Sequence, residues 1–216
     1  MDIARSLRFP SRNPNWLFSL VVWALLMLGV VTAPLAIGYL VRVVRNVARG
    51  NEFLPSYADK IQLYGDGLRV WLAGAFFVLP IIAAILINEF CGNPLRDSDA
   101  GLLSFFAACG SAVLGQMLQS IYLAILVFLM PLIFLCVAYS PNWYAGFNFA
   151  LMRRLLTNHV FDYVFMVLVA YAVSSLGSLG FFAFIIGAMI TIPYVTFCVA
   201  HMYGSFLLQS LHEDDV

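Results

Sequence analysis

Apolar positions run without a charge from Asn13 to Val41. A helix rises about 1.5 Å per residue, and roughly 20 residues cross the hydrocarbon of a bilayer. This run therefore predicts a membrane span near 16–38, with Trp16 as its interfacial anchor and Pro34 and Gly38 in its last turns. The pattern then changes. At about 100° per residue, Arg42, Arg45, Asn46 and Arg49 share one face, while Val43, Val44, Val47 and Ala48 fill the other. Gly50 falls where a left-handed helix cap belongs. These residues predict a short amphipathic helix at 41–49 lying along a membrane surface.

Leu54-Pro55 interrupts the chain, and a second span is expected near 70–88. The segment Cys91–Asp99 is polar, glycine- and proline-bearing, and reads as an aqueous loop. From Ala100 to Met152 no side chain is charged, which is longer than one crossing needs. A fold-back at Gly115–Ser120 predicts spans near 101–116 and 119–139; a single long tilted helix from about 105 is the alternative. Ser140-Pro141 has the form of an N-cap followed by proline at the first helical position, so a second interfacial helix is expected at 141–157. The uncharged run from Tyr163 to Ala200 divides at Ser174–Gly180 into spans near 160–176 and 181–205. The expected fold is an all-α polytopic transmembrane helix bundle, one domain over 1–216, with about six spans and two interfacial helices. The order of spans and basic helices hints at a repeat beginning near Trp16 and near Gln119, the form of an inverted-repeat transporter.

Composition fixes the solvent. Of 216 residues 63% are hydrophobic and 10% charged, against about 25% charged in soluble domains. Mean hydropathy is +0.94. So few charges cannot cover that much apolar surface in water. The 11 basic and 11 acidic side chains cancel, which removes the electrostatic basis for binding nucleic acid. Cys91, Cys109, Cys136 and Cys198 have no metal-site or redox-motif spacing and read as small packing residues. The first apolar run is too long for a signal-peptide core and is expected to be retained.

Few side chains invite chemistry. Arg42, Arg45 and Arg49, with Arg153 and Arg154 of the second basic segment, are candidate contacts for lipid headgroups; solvated interfacial anchors are the plainer alternative. Gln116, Gln119 and His201 are a candidate intramembrane polar site, and His159 and Asp162 stand at the start of the fifth span. The plainer alternative places His201 and Asp162 at the interface. Asp66 and Arg69 are spaced as an i,i+3 pair at the entry to the second span. Gly65-Asp66-Gly67 lacks the strand and helix of a phosphate loop and reads as a turn. No catalytic residue, cofactor or metal site is expected.

Orientation follows from counting basic residues by side. Six spans put Arg5, Arg8, Arg12, Arg96, Arg153 and Arg154 on one side, and Arg42, Arg45, Arg49, Lys60 and Arg69 on the other. That balance decides little. The N-terminal cluster favours cytoplasmic termini.

Ser6-Leu7-Arg8-Phe9-Pro10 before Trp16, Gly38-Tyr39-Leu40 with Arg42, Leu54-Pro55, and Gly65-Asp66-Gly67-Leu68 before Leu79-Pro80 form an ordered set. So does Ala145-Gly146-Phe147-Asn148-Phe149 ahead of the basic pair. In these motifs the chain resembles the domain of unknown function 4013 family of prokaryotic multi-pass membrane proteins. Tyr57-Ala58-Asp59 departs from the Trp and acid that the resemblance implies there. The resemblance implies a multi-helix protein of a prokaryotic cell membrane and no assigned activity. The expected function is a non-catalytic membrane scaffold or accessory subunit, in contact with membrane lipids and a protein partner and not with nucleic acid. A transporter or lipid-handling protein is the alternative, and an intramembrane enzyme would need clustered ionisable groups that the pattern lacks.

Overall fold

A computed structural model describes residues 3–51, 53–92, 102–140, 142–178, 180 and 184–214. The helices are α1 (Ile3–Arg8), α2 (Trp16–Leu28), α3 (Ala33–Ala48), α4 (Lys60–Gly92), α5 (Leu102–Tyr139), α6 (Phe149–Asn158), α7 (Val160–Gly177) and α8 (Phe184–Asp214). Short 3-10 turns lie at Pro10–Arg12 and Ala145–Phe147, and no strand occurs among the described residues. Two compact units result: Met1–Leu72 with Pro131–Val216, and Ala73–Met130.

Among the described residues four stretches are long and apolar enough to cross a membrane: Lys60–Ala83, Gly115–Tyr139, Val160–Gly177 and Gly187–Ser210. These match the expected spans near 70–88, 119–139, 160–176 and 181–205. Among the described residues the other two of the six expected spans do not form separate helices of spanning length. Residues 101–116 belong to the same continuous helix as 119–139, because Gly115 and Gln116 sit inside α5. Gln is itself a good helix former, and a glycine costs only about 1 kcal/mol relative to alanine, too little to break a long helix.

The expected span at 16–38 is two helices. At 13 residues α2 is about 20 Å long, short of the roughly 30 Å of hydrocarbon. It ends at Gly29, and the Thr32 hydroxyl donates to the carbonyls of Leu26 at 2.7 Å and Gly29 at 3.1 Å, serving acceptors left over at the helix end. Pro34 then stands in the first turn of α3, where its missing N–H costs nothing. The two helices fold back on each other: Trp23 Nε1 donates to the Ala36 carbonyl at 2.9 Å. The tip exposes Leu28, Val30 and Val31.

The helix expected at 41–49 is the second half of α3, and its apolar face is covered by protein. Tyr39, Val41, Val43 and Val44 are fully buried. At its end Gly50, with φ +79, donates to Val47, and Asn51 donates to Asn46, a Schellman cap. The left-handed glycine is thus where the pattern put it. The second interfacial helix also shifts: α6 starts at Phe149, with the Asn148 side chain accepting from Leu151 N at 3.1 Å. Its predicted N-terminal Pro141 and the loop residues 93–99 lie outside the described residues.

In the first unit α3 and α4 cross at glycines. A Cβ on Gly38 would collide with the Leu63 carbonyl, and one on Gly67 with the Pro34 carbonyl. Backbones approach this closely only where small residues face each other. A Cβ on Gly204 of α8 would lie 2.8 Å from the Val44 carbonyl, so α8 also packs tightly on α3. α7 lies antiparallel to α8, with Tyr163 against Phe206 and Gly177 against Val195. In the second unit the Tyr122 hydroxyl of α5 donates to the Phe77 carbonyl of α4 at 2.7 Å, and Gly74 faces Met130. Outward residues such as Phe76, Leu79, Met117 and Leu118 are exposed and apolar, as lipid contact requires.

Candidate functional site

Three charged groups of the first unit meet where α3 ends, α4 begins and α5 ends. Asp66, 3% exposed, accepts from Arg45 at 2.9 Å and from Arg69 at 3.1 Å. Arg69 is the predicted i,i+3 partner. Arg45 is not predicted by any local spacing. It also donates through Nε to the Ala138 carbonyl at 3.0 Å and through Nη2 to Val137 at 3.2 Å. Those carbonyls close α5, where unpaired acceptors and the negative end of the helix dipole favour a cation. One guanidinium thus ties three helices together. Each Asp66 oxygen accepts from one guanidinium.

Beside this cluster, the loop after α3 is held down by side chains. The Arg42 Nη1 donates to the Ser56 and Ala58 carbonyls, and Asn46 donates to Phe53 O at 2.9 Å. Tyr57 stacks on Tyr39 with centroids 4.2 Å apart, and its hydroxyl donates to the Ser19 carbonyl of α2 at 3.0 Å. Burial, then the neighbouring Tyr39, pushes the Tyr57 hydroxyl well above its usual range, so it remains a donor.

His201 is buried. Its Nδ1 lies 2.9 Å from the Ser6 hydroxyl, and the Phe9 ring lies 4.5 Å away. Tyr194 donates to the Leu7 carbonyl at 2.7 Å. The polar groups of α8 thus dock the N-terminal helix through a long-range pairing. His159 is half-buried at the start of α7, edge-on to Phe206, and Asp162 is exposed in the first turn, where the helix dipole favours a carboxylate.

The candidates therefore separate. Of the proposed headgroup residues, Arg49, Arg153 and Arg154 are exposed, whereas Arg42 and Arg45 are engaged with the protein itself. Arg45 is half-buried, with α4 and the end of α5 against its guanidinium. Of the proposed intramembrane site, Gln116 is exposed and Gln119 half-buried on α5 in the second unit, while His201 belongs to the first. Among the described residues no group of three or more His, Cys, Asp or Glu is placed to hold a metal ion. Cys136 and Cys198 are free and buried.

One signal for the missed pair was present. Asp66 is the single acid between Lys60 and Asn88, and a carboxylate entering an apolar helix must find a cation. Which cation was a matter of tertiary packing.

The family described as Protein of unknown function (DUF4013) matches residues 21–192. The Ser6–Pro10 motif lies before the matched region. Comparisons with curated proteins and with solved structures return no match.

Proposed function

Because this chain belongs to the DUF4013 family, whose function is unknown, we propose its role from its own geometry: a non-catalytic membrane scaffold or accessory subunit. The observation that carries this reading is the use made of the buried charges. Asp66 pairs with Arg45 and Arg69, and Arg45 also holds the end of α5, so these buried charges fasten three helices to one another. Affinity purification from native membranes in mild detergent tests it. A stoichiometric protein partner is the expected result; a homogeneous protein without partner under several mild detergents would remove the reading and favour lipid handling or transport.

The proposed orientation is both termini in the cytoplasm. Tyr57 holds the loop after α3 against the start of α2, which supports a hairpin that enters and leaves on one side. With four crossings after it, Arg5, Arg8, Arg12, Arg42, Arg45, Arg49, Arg153 and Arg154 fall on the side of the termini, and Lys60 and Arg69 lie in the half of the first crossing nearest that side. Only Arg96 of the 11 basic residues falls opposite. The positive-inside rule then favours that side as cytoplasmic. In a background lacking the native cysteines, Asn51→Cys is expected to react with an impermeant maleimide only in inverted vesicles, and Ser98→Cys only in intact cells. Labelling of Asn51→Cys in intact cells would restore a crossing at 16–38.

A further inference from the structure

The Arg45–Asp66–Arg69 cluster does not balance. One carboxylate faces two guanidinium groups, and Asp66 is the only acid that pairs with either arginine among the described residues. Arg45 uses Nε, Nη1 and Nη2 on protein acceptors. Arg69 uses only Nη1, on Asp66, and its Nε is buried with no acceptor. A buried, unpaired donor on an uncompensated cation is costly, and the cost is removed by an anion. The Nε–Nη2 edge of a guanidinium is the fork that matches two oxygens of a phosphate. The Trp143 ring lies over the Arg69 guanidinium at 5.2 Å and is itself 63% exposed, so one wall of the fork is a side chain free to yield. An exposed indole beside an arginine is also the pairing expected at headgroup depth.

We propose that the free edge of Arg69, walled by Trp143 and backed by the Arg45–Asp66 pair, binds a phosphate group. The ligand is a membrane phospholipid headgroup or a free phosphate; the chemistry at Arg69 is the same for both. This goes beyond the scaffold reading and does not depend on a protein partner. It also moves the anion site from the exposed arginines of the sequence pattern to one whose neighbours fix its geometry.

The test is native mass spectrometry of the whole chain in a phosphate-free detergent and buffer, titrated separately with dioleoylphosphatidylglycerol and with inorganic phosphate. One bound phosphatidylglycerol per chain is expected. Arg69→Lys keeps the charge toward Asp66 but loses the fork, and should weaken binding by about tenfold or more. Arg49→Gln, exposed and outside the cluster, should leave it unchanged. Arg69-dependent binding of inorganic phosphate without lipid binding would assign the site to a free phosphate. Equal binding in the wild type and Arg69→Lys, or no binding of either probe, overturns the proposal. Should Arg69→Lys fail to fold, Trp143→Ala decides: several-fold weaker binding supports the site, and unchanged binding overturns it.

Discussion

Replacing Asp66 by alanine is expected to destabilise the protein by about 3–5 kcal/mol, because removing one member of a buried ion cluster leaves its partners charged and unpaired. Two guanidinium groups would then face each other with Asp66 gone, and Arg45 would be left with the α5 carbonyls alone. The check is thermal unfolding in detergent, followed by size exclusion. Asp66→Leu combined with Arg69→Met should recover part of the loss, since it also removes the excess charge and leaves Arg45 its carbonyl acceptors. Measured with the single variants Asp66→Leu and Arg69→Met, it closes a cycle that isolates the coupling between the two residues. An Asp66→Ala protein that unfolds at the wild-type temperature would mean that the cluster contributes nothing to the fold.

The second large effect belongs to the α3–α4 crossing. Gly67→Ala puts a methyl group into the Pro34 carbonyl, and Gly38→Ala puts one into the Leu63 carbonyl. Overpacking costs about 1–3 kcal/mol where side chains can adjust, and more where they cannot. Here the obstacle is backbone, so the helices themselves must separate. That separation also lengthens the Arg45–Asp66 contact, and each substitution is expected at or above the upper end of the range. Gly65→Ala is the control. It lies on the same helix with open space around its Cβ position, so it should be neutral or stabilise by up to about 1 kcal/mol through helix propensity. Indistinguishable unfolding of Gly65→Ala and Gly67→Ala would show that the close crossing is absent from the protein in its membrane.

Together these variants separate two contributions that meet at one place. Charge holds the end of α5 to α3 and α4; the absence of side chains lets α3 and α4 come together at all. Neither contribution is visible in hydropathy. Asp66 and Gly67 are neighbours in a stretch that the pattern alone treats as a turn ahead of the second span, yet both lie inside α4.

The sequence by itself determined the solvent, the all-helical class and the positions of four long apolar helices, because lipid imposes a length and a polarity on every crossing. Local chemistry also determined the Gly50 cap and the Asp66–Arg69 pair, which depend on residues within one or two turns. Tertiary structure decided the rest. Hydropathy sums over a window and does not register a fold-back at Gly29, so α2 and α3 read as one span. An amphipathic pattern reports two faces but not what covers the polar one; α4 and the end of α5 cover part of that of α3, and Arg45 becomes a fastening between helices. His201 meets Ser6 for the same reason: residues far apart in the chain are brought together only by the packing of α1 on α8.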